Sequence, residues 1–278
     1  MRNLIPSILL EAVRAALPNF GAGTVEIGNY SIQVEASQFF QDSNPRQDEN
    51  LSMMAFSHRR YTLGDTGVTE TLESVLDDVL QRYDVDASEY DGCGYSLDER
   101  VQNKMRLLPA EHINHVLIMP VYMYDHSGIT ISLSPFSCSF DSSIIGWVFT
   151  TPEHLNGFGH TFKDFSCQSD REKVAQWIES DIKTYDAYLK GDVYEFTILD
   201  RNGYVVDSYG HFFGDHTTSG LMECVHENLS HHVKQAQQAQ RVAITKHAAR
   251  LKALIRNRVP LSQRMFPMQC IKQAAQLA

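Results

Sequence analysis

From about Ser219 to Arg258 the sequence reads as one unbroken helix, and Pro260 supplies the stop. At about 1.5 Å per residue, such a helix is on the order of 60 Å long. A compact domain drawn from 278 residues does not easily cover that length. The middle of the run, "VKQAQQAQRVA", is rich in Ala and Gln and carries only a thin apolar seam through Val225, Leu229, Val233 and Ala236. A seam of that kind suits contact with another helix, within a subunit or between subunits.

Charge sharpens the picture. From Asn228 to Ala278 there are nine Lys or Arg and no Asp or Glu, in a chain whose net charge is −10. Residues 1–227 therefore keep 15 basic groups against all 34 acidic ones, a net of −19. Along a lone helix the nine cations repel one another, so something negative is expected beside them. The acidic body of a second copy meets that need, which predicts a homo-oligomer. Arg250, Lys252, Arg256 and Arg258 are the residues expected to face Asp or Glu of a neighbour or target. Nucleic acid is the alternative partner for a basic helix, disfavoured because an acidic body is at hand.

The rest of the chain predicts an α+β fold, an antiparallel sheet with flanking helices. An amphipathic N-terminal helix with Pro6 in its first turn is expected to bury Ile5, Leu9, Leu10, Val13 and Leu17. "TVEIGNYSIQVEA" reads as a hairpin about Gly28-Asn29, and residues 37–50 as loop. "LSMMAFSHRRYTLGD" is expected to run as a strand up to Gly64-Asp65. "TETLESVLDDVLQRY" has helical spacing through Leu72, Val75, Leu76, Val79, Leu80 and Tyr83. Residues 84–114 read as loop. "HVLIMPVYMYDHSGITISLSPF" predicts two strands about a turn, and "IIGWVFTT" a third. A helix follows with Val174, Trp177, Ile178, Ile182, Tyr185 and Leu189 as its stripe, a capping box at Ser169 and Glu172, and Gly191 as its end. "VYEFTIL" and "YVVDSY" flank the hairpin signal "DRNG". The expected division is an N-terminal helix and hairpin at 1–50, an α+β core at 51–218 and a basic helical segment at 219–278. No stretch offers the ~20 apolar residues of a membrane span.

Chemistry-bearing patterns are few. Asp125-His126-Ser127 sets acid, imidazole and hydroxyl side by side, but consecutive residues at a turn diverge, whereas a triad needs convergence from separate elements. The alternating flanks and Gly128, expected to supply a positive φ, predict a hairpin tip. A second arrangement takes Cys138 as nucleophile, His126 or His58 as base and Asp141 as orienter, which would make a cysteine-dependent hydrolase. "PFSCSFDSS" lacks the elbow or helix N-terminus that activates such a thiol. "DVDASEYDGCGY" mimics a calcium loop with Asp84, Asp86 and Ser88, but Glu89 stands where glycine is required and Tyr95 where the bidentate Glu belongs. In "HENLSHH" the histidines fall five apart rather than four, so His226, His231 and His232 do not form a metalloprotease face, and Cys224 does not share a face with His226. Cys93, Cys138, Cys167, Cys224 and Cys270 contain no C-x-x-C pair, which fits a reducing compartment. Phosphate-loop and dinucleotide motifs are missing; "GAGTVE" lacks the third glycine. These patterns predict a protein without catalytic residues, metal or cofactor.

Four stretches carry a resemblance: "SHRRYTLGD" (57–65), "MPVYMYDHSGITIS" (119–132), "PFSCSFDSSIIGWVF" (135–149) and "TYDAYLKGDVYEFTILDRNGYVVDS" (184–208). They resemble a family of uncharacterised proteins encoded by bacteriophages and mobile elements. In that family the third stretch usually has Pro-Trp where this chain has Ser139-Phe140. The resemblance spans roughly residues 51–213 and brings no catalytic residues with it. It implies a phage accessory protein in the host cytoplasm, of the kind that blocks a host immune complex by stoichiometric binding. Inhibitors of the Gabija nuclease complex are one group of this size, so a Gabija-type assembly is the candidate target.

Overall fold

The structure is a computed structural model and describes residues 23–37, 40–88, 95–108, 114–126, 128–137, 142–216 and 218–260. In chain order its strands are β1 (Gly23–Ile27), β2 (Tyr30–Ala36), β3 (Met53–Phe56), β4 (Leu117–Asp125), β5 (Ile129–Ser132), β6 (Ser142–Thr150), β7 (Val193–Asp200) and β8 (Val205–Phe213). Its α-helices are α1 (Val68–Arg82), α2 (Leu97–Leu107), α3 (Pro152–Gly157), α4 (Gln168–Lys190) and α5 (Leu221–Arg256). The fold is α+β, with two antiparallel sheets, flanking helices and a long C-terminal helix. Among the described residues no helix is long and apolar enough to cross a membrane.

The chain divides into two units, residues 38–193 and residues 1–37 together with 194–278. This division differs from expected boundaries at 50/51 and 218/219, because the hairpin β7–β8 pairs with the hairpin β1–β2 rather than with the central sheet.

The sheet of residues 38–193 runs β3-β6-β4-β5. One face packs on α4, where Val174, Ile178, Ile182 and Tyr185 meet Val121, Met123, Ile131 and Ile145. The other receives Leu72, Leu76, Val79 and Leu80 of α1 against Ala55, Ile118, Trp147 and Phe149. Covered on both faces, β6 reads as an apolar run rather than an alternation. Each of those buried leucines contributes roughly 1.5–3 kcal/mol before chain entropy is set against it. Gly146 on β6 has φ 153, and a Cβ there would lie 2.1 Å from the Ala55 carbonyl oxygen.

Both edges of this sheet are closed by a carboxylate. At β3, the Met54 N–H donates to Asp65 Oδ2 at 2.8 Å while the Met54 carbonyl accepts from the Asp65 N–H at 2.9 Å. Asp65 also takes Arg46 Nε at 2.8 Å and Nη2 at 2.6 Å. The expected strand over 51–65 is therefore only Met53–Phe56. The chain then turns back so that Asp65 can occupy the β3 edge, and Gly64, at φ 74, passes where a Cβ would be 2.6 Å from Met54 O. At β5, the Ile131 N–H donates to Asp186 Oδ1 of α4 at 2.9 Å, and Lys190 Nζ holds the other oxygen at 2.5 Å. Each contact occupies an edge group that a stray strand would otherwise pair with.

Three further expectations are corrected. Residues 84–114 contain a helix, α2, opened by a full capping box in which Ser96 accepts from the Glu99 N–H and Glu99 from the Ser96 N–H. The spacing Ser96-x-x-Glu99 was present but short of apolar support. The helix is held by tertiary contacts: Val101 is buried against α1, and Lys104, itself buried, reaches Asp77 Oδ1 at 2.7 Å. Helix α4 starts at Gln168 with Cys167 as N-cap, so Ser169 does not cap it; Glu172 instead accepts from Gln168 Nε2 at 2.8 Å. Gly128 has no left-handed φ, and a Cβ there meets nothing within 4 Å. The expected end at Gly191 holds, with φ 76.

In the other unit the sheet order is β1-β2-β7-β8. Gly28, at φ 66, turns the first hairpin and Gly203, at φ 81, the last. Val25, Ile32, Val34, Phe196 and Ile198 form the face onto which α5 lays Leu221, Met222, Val225 and Leu229. The expected N-terminal helix, Cys93, Ser127, Cys138, Asp141, Cys270 and the segment beyond 260 lie outside the described residues.

Candidate interaction surface

The hairpin tip resolves the acid–histidine juxtaposition. Asp125 ends β4, and its Oδ2 is taken by the Arg60 guanidinium and by the Tyr61 hydroxyl at 3.2 Å. His126 lies with its ring 6.0 Å from that of Tyr124. His58 stacks on Tyr61, centroids 5.0 Å apart and rings 9° from parallel. The Asp125 carboxylate is thus tied to the 57–65 segment, a role for Arg60 and Tyr61 that the sequence did not single out. Ser127, Cys138 and Asp141 fall outside the described residues, so their convergence with His126 or His58 does too.

The two described cysteines differ in chemistry. The Cys167 thiol is exposed and its pKa is lowered, first by the Ser169 hydroxyl at 3.1 Å and then by the Asp170 and Ser169 amides of the opening turn of α4. Burial pushes Cys224 up. Of the histidines close together in sequence, His231 and His232 keep their rings 5.8 Å apart but turn to different partners. His232 Nε2 lies 3.2 Å from Asp207 Oδ2, His231 pairs with Gln235 at 2.7 Å, and His211 sits in β8 with φ 66. Among the described residues no group of three or more His, Cys, Asp or Glu is placed to hold a metal ion. Within the described part of the calcium-like stretch, Asp86 Oδ1 accepts from the Ser88 N–H at 2.9 Å.

Helix α5 is built differently along its length. Its root is anchored by the apolar residues above and by a polar fringe: Tyr209 of β8 donates to Asn228 Oδ1 at 3.1 Å, Asn228 donates to the Cys224 carbonyl at 2.9 Å, and Asp207 faces His232. Leu229 is its last buried residue. From Lys234 to Arg256 every residue is half-buried or exposed, over about 34 Å of helix. The seam line continues as half-buried Ala236, Gln240, Ala243, His247, Leu251 and Leu254. Away from it stand Val242 and Ile244, each 56% exposed, and Ile255, 58% exposed. Lys234, Arg241, Lys246, Arg250, Lys252, Arg256 and the following Arg258 are exposed, and none has an acidic partner among the described residues. These exposed apolar side chains, set among cations, make the distal part of α5 the candidate interaction surface.

No protein-family model, curated protein or solved structure matches this chain.

Proposed function

We propose that the protein works by occupancy: it binds a host immune complex stoichiometrically and blocks it, with α5 as the docking element. The observation that carries this reading is the distal two-thirds of α5, a rigid rod presenting Val242, Ile244 and Ile255 among cations that the rest of the described structure leaves unpaired. Such a helix fits a helix-in-groove contact with an acid-rimmed partner, with the cations speeding encounter. The phage context and the Gabija-type target come from the resemblance of the four sequence stretches.

The test is titration of purified protein against a Gabija-type nuclease complex. Inhibition is expected to saturate at a fixed molar ratio and to survive a chelator and Cys138→Ala. It should weaken about tenfold or more in an Arg250→Glu/Arg256→Glu protein. Complete inhibition at a small fraction of the target's concentration, lost in Cys138→Ala, would instead establish the hydrolase. Binding to DNA with a steep, sequence-independent salt dependence that vanishes without α5 would establish the nucleic-acid alternative.

A further inference from the structure

The exposed cations and apolar residues of α5 are not scattered. With about 100° of rotation per residue, Arg241, Ile244, Ala248, Lys252 and Ile255 fall within a strip about 80° wide. All five are exposed. Their spacing is the i, i+3, i+7 pattern by which a helix enters a groove. Lys246 and Arg250 lie on another side of the helix, and Arg256 stands about 40° beyond the Lys252 edge of the strip.

A groove of complementary character exists on residues 38–193. Where α1 ends, Asp77, Leu80, Asp84, Val85, Asp86 and Ala87 line a cleft of about 410 Å³. Its apolar floor is supplied by Leu80 and Ala87, both buried, with Val85 half-buried. The rim is acidic: Asp77 is balanced by Lys104, whereas Asp84 and Asp86 have no basic partner among the described residues. Asp86 is held ionised by the Ser88 amide, which lowers its pKa.

We infer that the strip Arg241/Ile244/Ala248/Lys252/Ile255 of one copy docks in the Asp77–Ala87 cleft of a second copy. The occupant is a second copy because the two surfaces are opposite in charge and both carry apolar side chains. Pairing of the distal parts of two α5 helices, which hold no acid beyond Asn228, would instead set like charges side by side. Reciprocal exchange, each copy giving its helix and receiving its partner's, closes a two-fold dimer. This rests on the reading of α5 as a docking element and names its partner on this side, leaving Lys246 and Arg250 for the target.

Charge exchange tests it by sedimentation velocity at micromolar concentration. One full-length variant carries Asp84→Lys and Asp86→Lys, the other Arg241→Glu and Lys252→Glu. Wild type is expected to sediment as a dimer that loosens in high salt. Each variant alone should be monomeric, since like charges then face each other. An equimolar mixture should regain a dimer, because the changed helix then meets the changed cleft and the unchanged helix the unchanged one. Wild type monomeric at ~100 µM, variants that stay dimeric, or a mixture that stays monomeric overturns the inference. Circular dichroism checks folding. Should a reversal unfold the chain, Asp84→Asn/Asp86→Asn and Arg241→Gln/Lys252→Gln replace it, and each must weaken the dimer about tenfold or more. Because assembly is read without the immune complex, failed docking leaves target titration to decide the proposed function, and failed inhibition leaves the dimer to be decided here.

Discussion

Replacing Asp65 with Asn should destabilise residues 38–193 by about 3–5 kcal/mol, the usual result of depriving a buried ion of its partner. Arg46 makes this a severe case. Its side chain is 3% exposed, and the Asp65 carboxylate, 15% exposed, receives both its Nε and Nη2. The remaining nitrogen, Nη1, is buried without a hydrogen bond and stands 4.0 Å from Asp181 Oδ2, too far for that acid to take over. Asn keeps the shape, and one acceptor oxygen remains for the Met54 N–H, so the change isolates the loss of charge and of the two-pronged contact. The assay separates the units by itself: the chain has two tryptophans, Trp147 and Trp177, both within 38–193. With a urea dependence of about 2 kcal/mol per molar, their fluorescence midpoint should fall by roughly 1.5–2.5 M. Arg46→Met with Asp65→Leu should recover most of the loss, since an apolar pair needs no desolvation, less about 1 kcal/mol for the unpaired Met54 N–H. A loss below ~1 kcal/mol in Asp65→Asn would mean the pair behaves as an exposed one and would refute the clamp.

Gly146→Ala should cost more than about 3 kcal/mol, because its Cβ would meet Ala55 O at 2.1 Å in the middle of a sheet buried on both faces; a well-folded alanine variant with an unchanged midpoint contradicts the register. Burial raises the Asp181 pKa above 3.8, despite opposing contacts from Ser52 and Arg46. The folded state therefore holds that proton more tightly than the unfolded state, and this group's contribution falls as pH rises from about 4 through the folded pKa. Asp181→Asn should gain on wild type across that interval in tryptophan-monitored urea titrations, and a flat or reversed difference rejects the assignment. Alkylation followed by mass spectrometry should modify Cys167 well before Cys224 at neutral pH, with the half-point for Cys167 below the ordinary thiol range; equal rates would show that the α4 amides do not hold the thiolate.

Much of the local architecture was legible in the sequence. Strands β1 and β2 about Gly28, β4 and β5, β7 and β8 about Gly203, and helices α1, α4 and α5 each carry a periodicity or a turn residue that acts over a few positions. The run of cations without an acid beyond Asn228, which includes Arg250, Lys252, Arg256 and Arg258, is a property of the sequence itself. Tertiary structure decided what depends on partners distant in the chain. Helix α2 could not be read because a lysine, Lys104, is buried in it, a burial that the Asp77 carboxylate on α1 helps to make tolerable. The strand expected to reach Asp65 stops at Phe56 because that carboxylate is needed at the β3 edge, where Arg46 neutralises it. Asp125, beside His126 in sequence, turns instead to Arg60 and Tyr61, more than sixty residues away. Periodicity reports which face of an element is buried, since that depends on near neighbours along the chain. The positions of ions and hydrogen bonds follow from whichever distant group can repay desolvation, and only the fold brings that group near.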